Sequence, residues 1–136
     1  MQALKPTLFT AQSPVGSAAP QLRGGRCSCG YVFFPMQTYG CEKCGGVGDA
    51  LTPTLLDGNG TLVASARVLM HARQDRQAPF VVVSVKLDAG PVVRTLLAED
   101  TTERLPVGLP MQARLVEVGK SESGEPLVDL RFAPVH

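Results

Sequence analysis

Hydrophobic and polar positions alternate with period two through most of the second half of the chain. Residues 61–71 put Leu62, Ala64, Ala66 and Val68 on one set of alternate positions, the repeat of a half-buried strand. Residues 80–87 read Phe-Val-Val-Val-Ser-Val-Lys-Leu, a β-branched run that suits a pleated sheet. The turn 88–91, Asp-Ala-Gly-Pro, makes 92–97 its hairpin partner. Residues 111–118 alternate again, with Met111, Ala113, Leu115 and Glu117 set against Gln112, Arg114, Val116 and Val118. Two shorter runs, 51–56 and 127–132, complete the set, the first closed by the turn Asp57-Gly58-Asn59-Gly60. Polar loops are predicted at 72–79 and 119–126, and an irregular connection with a candidate helical turn at 98–108. Five or six strands in about 85 residues predict a small barrel or sandwich. A five-stranded Greek-key barrel of the OB type fits the count, and an SH3-like barrel fits the pattern as well.

The first half has a different texture. Pro6, Pro14 and Pro20 interrupt any period across residues 1–22. The segment is predicted as an extended or disordered arm whose Leu4, Leu8 and Phe9 are available to anchor on another surface. Residues 23–48 form a compact Cys- and Gly-rich unit, and 49–136 hold the strands. The expected organisation is therefore arm 1–22, ribbon 23–48 and barrel 49–136.

Composition narrows the function classes. A chain of 136 residues suits one domain with a small appendage and is short for most complete metabolic enzymes. With 44% apolar and 18% charged residues, wholesale disorder is not expected. No apolar run approaches the roughly 20 residues that cross a bilayer, and the first 25 residues lack a secretory pattern. The expectation is a cytoplasmic protein without membrane contact. The formal net charge is +1, and residues 49–136 hold nine Lys/Arg against eleven Asp/Glu with only Phe80 and Phe132 as aromatics. OB barrels that bind single strands stack bases in a basic groove, so a nucleic-acid partner is disfavoured.

The candidate chemistry lies in Cys27-Ser28-Cys29-Gly30 and Cys41-Glu42-Lys43-Cys44-Gly45-Gly46. Two close Cys pairs on tight turns supply the four thiolates of a tetrahedral zinc site. Gly30, Gly45 and Gly46 permit the positive φ of turns that aim backbone N–H groups at sulfur. A disulfide is disfavoured because nothing marks the chain as secreted. A redox Cys-x-x-Cys would open a helix near a βαβ unit, and none is predicted. Iron of the rubredoxin type uses similar ligands and stays open. Four thiolates close the coordination shell, so the metal is expected to hold structure and do no chemistry. Arg23, Arg26 and Lys43 are close enough in sequence to offset the site's negative charge. Elsewhere no catalytic set stands out. His71 has no motif around it, and Asp88, Glu99 and Asp100 lie in turns or connections, where capping and solvation are the ordinary roles.

These residues resemble a known family. Leu22-Arg-Gly-Gly-Arg-Cys-Ser-Cys-Gly-Tyr-Val-Phe-Phe-Pro followed by Tyr39-Gly-Cys-Glu-Lys-Cys-Gly-Gly is similar to the rubredoxin-like zinc ribbon of acyl-CoA-associated OB-fold proteins. Gly60-Thr-Leu-Val-Ala-Ser-Ala-Arg-Val, Val82-Val-Ser-Val-Lys-Leu-Asp-Ala-Gly-Pro and Leu105-Pro-Val-Gly-Leu-Pro-Met-Gln-Ala-Arg-Leu resemble that family's barrel strands in the same order. The resemblance covers about residues 22–133. It implies an N-terminal zinc ribbon on Cys27, Cys29, Cys41 and Cys44, followed by a five-stranded OB-fold barrel in a mainly β chain. It also implies a non-catalytic subunit in a hetero-oligomer, a heterotetramer by expectation. The partner would be a thiolase-superfamily large subunit that supplies the catalytic groups. Aromatic-compound degradation, such as β-oxidation of benzylsuccinate, is the expected setting. A MaoC-like hydratase or a CoA-dependent aldolase are alternative partners, and a single-stranded nucleic-acid binder is the alternative of another class. A CoA thioester bound near the partner interface is a further implication, with Arg67, Arg73, Arg76 and Arg94 as candidates to reach its phosphates. The family's usual N-terminal amphipathic helices are missing here, and the Pro-rich arm stands in their place.

Overall fold

The computed structural model describes residues 2–10, 20–69 and 79–135. Nine strands are described: β1 (Gln2–Ala3), β2 (Leu22–Cys27), β3 (Val32–Phe33), β4 (Leu51–Leu56), β5 (Asn59–Val68), β6 (Phe80–Leu87), β7 (Val92–Leu96), β8 (Pro110–Lys120) and β9 (Pro126–Pro134). The one described helix is a 3-10 turn at Gly48–Ala50. The helical turn expected within 98–108 does not form. That connection is held instead by separate tertiary hydrogen bonds, Ala98 N–H to Phe132 O at 2.7 Å and Gly108 N–H to Leu62 O at 2.8 Å.

β5 to β9 close into a barrel. Antiparallel pairing runs β7-β6-β5-β8-β9, and a parallel bridge between Leu97 and Phe132 brings the β7 end back to β9. That order, with one parallel seam, is the five-stranded OB barrel. Its core is the inward set of the predicted alternations: Leu62, Val83, Val85, Leu87, Met111, Ala113, Leu130 and Phe132 are all buried. Non-directional apolar burial therefore selects the register, because a one-residue slip would turn each set to solvent.

β5 departs from its expected pattern. A bulge between Leu62 and Ala64 inserts one residue into the ladder. Beyond it the faces exchange: Ser65 lies opposite Val83 and Arg67 opposite Val81, while Ala64 and Ala66 lie opposite Ser84 and Val82. Ala64 and Ala66 are consequently exposed, because an extra residue shifts a period-two pattern by one. The turn at 57–60 also differs from expectation. Asn59 and Gly60 already belong to β5. Gly58 and Gly60 serve close approach: a Cβ on Gly58 would lie 2.4 Å from Ala113 Cβ, and one on Gly60 would lie 2.3 Å from Lys86 O.

A second sheet, β3-β2-β4, stands on the barrel. β2 and β4 pair antiparallel along their whole length, from Leu22↔Leu56 to Cys27↔Leu51. A boundary at residue 48 thus falls inside one continuous sheet. The first residues of the chain are also built in. β1 adds parallel to β9, Phe9 is buried in the barrel core, and Phe9 bridges Leu22. Residues 2–9 take this course because their main-chain groups find partners: Leu4 N–H bonds Val128 O and Arg23 N–H bonds Leu8 O, both at 2.8 Å. Among the described residues no helix is long and apolar enough to cross a membrane.

Candidate metal centre

The four cysteines converge at the far end of the second sheet. β2 delivers Cys27, and the turn after it delivers Cys29. Gly30, at φ 98°, turns the chain. Its N–H bonds Cys27 O at 2.8 Å, and Cys27 N–H bonds Tyr31 O at 2.8 Å to start the return strand β3. The second knuckle repeats the device. Gly45 has φ 78° and donates to Cys41 O at 2.9 Å, while Cys41 N–H bonds Gly46 O at 2.8 Å. The Gln37 side chain brackets the approach, donating to Gly40 O at 2.7 Å and accepting from Gly40 N–H at 3.0 Å.

All four Sγ atoms lie within 4.8 Å of one another. Cys27 and Cys44 are 3.4 Å apart, and Cys29 and Cys41 are 3.8 Å apart. No disulfide joins them, since a bond would require about 2.05 Å. Ligands at a zinc–sulfur distance of about 2.3 Å on a tetrahedron are about 3.8 Å from each other, so the donor set and its spacing fit a divalent ion of zinc's size. Main-chain donors also face the sulfurs: Lys43 N–H points to Cys41 Sγ and Gly46 N–H to Cys44 Sγ, each at 3.4 Å. A Cβ on Gly46 would sit 3.4 Å from Cys44 Sγ and 3.5 Å from Cys27 Sγ, so this glycine clears space beside the thiols.

The electrostatics call for a cation. The Cys27 thiol is lowered to about 7, chiefly by the Cys29 backbone N–H, against the opposing effect of burial. For Cys44 the Gly46 N–H also lowers the value. The three neighbouring thiols and burial outweigh it and push Cys44 up to about 12. Thiolates this close to one another disfavour each other's charge. A divalent cation removes that conflict. Four sulfurs leave no open position for water or substrate, so a metal held here has a structural role. Two of the site's thiols are buried, Cys27 and Cys41, and Phe33 and Leu51 pack with them. Tyr31 stacks on Phe33 with ring centres 6.3 Å apart, and its hydroxyl donates to Glu42 Oε2 at 3.2 Å.

The other residues singled out from sequence do not gather here. Arg23 does not offset the thiolates, because its Nε donates to Pro6 O at 3.0 Å and ties down the N-terminal segment. Arg26 and Lys43 are exposed beside the ribbon. Arg67 and Arg94 line different clefts. His71, Arg73 and Arg76 lie outside the described residues. Asp88 sits in the β6–β7 turn, its N–H donating to Asn59 O at 3.0 Å. Sequence reading missed the role of Asp100. Arg67 Nε and Nη2 bond its two carboxylate oxygens at 3.0 and 2.7 Å, a forked pair across 33 residues that no local motif announces.

No family model matches the chain, and no curated protein sequence matches it. The solved structures do contain a likeness. A structure titled "Ltp2-ChsH2(DUF35) aldolase" superposes with a TM-score of 0.64 over 84% of this chain and 84% of that chain, at 21% identity. At that identity the likeness is one of fold.

Proposed function

We propose that this chain is a non-catalytic accessory subunit of an enzyme complex that acts on CoA thioesters. Residues 23–48 would be its zinc ribbon and 49–136 its barrel unit, with structural zinc held by Cys27, Cys29, Cys41 and Cys44. The observation that carries the reading is the fold likeness over 84% of both chains with a structure whose title names a DUF35 component of an aldolase. The closed thiol set supports it, since four sulfurs offer a metal no catalytic vacancy. The partner would be a thiolase-superfamily large subunit that supplies the catalytic Cys and His, the two forming a cytoplasmic heterotetramer. The subunit would stabilise that enzyme and shape its acyl-CoA site, and thiolytic steps of aromatic-compound degradation such as benzylsuccinate β-oxidation are the setting proposed. The neighbour's title favours a second reading in which the partner chemistry is aldol cleavage of a CoA ester.

Co-expression with a thiolase-superfamily large subunit tests the proposal. Co-elution on size exclusion, with one zinc per small subunit, is expected. A partner that is fully active and stable alone would overturn it.

A further inference from the structure

The geometry points to the outer edge of β5 as a strand-addition site, with an extended segment of the partner enzyme as its occupant. This rests on the accessory-subunit reading and adds the contact that reading lacks. β5 pairs with β8 only from Asn59 to Thr61, while its pairing with β6 continues to Val68. Leu62 spends its outward groups on the β7–β8 connection: its N–H bonds Leu109 O at 2.9 Å and its carbonyl accepts Gly108 N–H at 2.8 Å. Beyond Leu62 that connection leaves the edge. Its next bond to β5 among the described residues is at Asp100, which Arg67 grips.

Between those two ties, the outward main chain of Ser65 and Arg67 has no partner among the described residues. Val81, opposite Arg67, turns its carbonyl to Leu97 N–H at 2.8 Å on the far side of β6. In an antiparallel ladder the residue facing such a position directs its own N–H and C=O away from that strand. The two-residue repeat gives Ser65 the same orientation. These two donor–acceptor pairs are spaced by about 6.6 Å, the repeat that another strand matches.

The space beside them suits a peptide. A groove of about 590 Å³ runs between 63–67 and 101–107. Val63 is 42% exposed at one wall and Val107 75% exposed at the other, so alternate apolar side chains of an added strand have places to go. Charge also selects the occupant. Arg67 is neutralised by Asp100, which leaves Arg104 and Glu103 to balance each other along the lining. A neutral main chain complements that lining, whereas CoA phosphates or nucleic acid do not. Two of the guards of an exposed edge, Pro and Lys, are missing from 63–68, and the bulge after Leu62 is one that is present.

The experiment uses the full chain with the thiolase-superfamily large subunit proposed as its partner. Amide hydrogen exchange is followed on the free protein and on the complex, and affinity is measured for Ser65→Pro and Val107→Asp. Proline at Ser65 removes an outward donor that the β6 ladder does not use. Expected are slowed exchange at Ser65 and Arg67 in the complex, and binding weakened about tenfold or more in both variants. Zinc content should be unchanged. Should Ser65→Pro fail to fold, Val107→Asp and the wild-type exchange decide. Unaltered affinity of both variants, or fast exchange at both amides in the complex, overturns the edge assignment and leaves the accessory role standing. Protection that appears with rising concentration of this chain alone overturns it in favour of a second copy. Failure of the wild-type chain to bind the enzyme ends both readings.

Discussion

Leu22 and Cys27 occupy opposite ends of β2, with Leu22 in the barrel core and Cys27 in the thiol cluster. Five residue steps of strand separate them, about 16 Å. Each end is paired to β4, at Leu56 and Leu51 respectively. The metal site is therefore wired to the barrel by a two-stranded ladder with no flexible joint between them. A rigid stalk of this kind can present the metal knuckles at a fixed angle to the barrel.

Loss of the metal should unfold the knuckles and spare the barrel. Cys44→Ser leaves three thiols, and metal-binding free energy is folding free energy in such ribbons. Zinc content should fall from about one per chain to well below it. Exchange should quicken at Arg26, Cys27, Val32 and Phe33, while Leu22 and Leu56, held in the barrel core, stay protected. A Cys44→Ser protein with full zinc content contradicts this. Uniform loss of protection into the barrel would show the ladder to be more cooperative than its two separate apolar clusters imply.

Two glycines should respond differently to alanine. A Cβ on Gly60 meets Lys86 O at 2.3 Å, and backbone cannot step aside as a side-chain end can. Gly60→Ala should cost about 1–3 kcal/mol. Gly119 lies in β8 with nothing within 4 Å of its added Cβ, so Gly119→Ala should change stability by less than about 0.5 kcal/mol. Denaturant midpoints of the two variants check the pair.

Phe9 tests whether the N-terminal segment is part of the fold. It is 3% exposed, packed with Leu22 and the barrel core. Phe9→Ala should cost about 3–5 kcal/mol, measured by urea unfolding. A loss below about 1 kcal/mol would return the segment to the status of a loose arm.

That segment also marks where sequence reading stops. The barrel strands were legible because Met111, Ala113 and the Val83–Val85 run carry their burial as a local period. The cysteine site was legible because tight turns place both knuckles within a few residues. Phe9 carries no such signal. Its order depends on Leu22, Val128 and Arg23, which are distant in sequence. The bulge after Leu62 is equally silent, because Ala64 and Ala66 continue the alternation in the sequence while the ladder has already slipped by one. The Arg67–Asp100 pair and the open edge beside it follow from that slip and inherit its illegibility.

The Arg67–Asp100 pair gives a prediction with a definite sign. Hydrogen bonds from the Arg67 guanidinium hold the Asp100 carboxyl below the usual carboxylate range, against a smaller opposing effect of burial. A carboxyl depressed in the folded state favours folding above its unfolded value of about 3.9, and the benefit disappears as pH falls through the lower folded value. Both side chains are about one-third exposed, 32% each, so salt should weaken the pair. Carboxyl titration by NMR should place Asp100 below the usual carboxylate range. Arg67→Ala should return it toward that range, and acid should loosen the 101–107 wall of the β5 groove before it disturbs the barrel core. An Asp100 that titrates alike with and without Arg67 would mean that the wall is held by Leu62, Gly108 and Leu109 alone. The groove would then be free to widen at neutral pH.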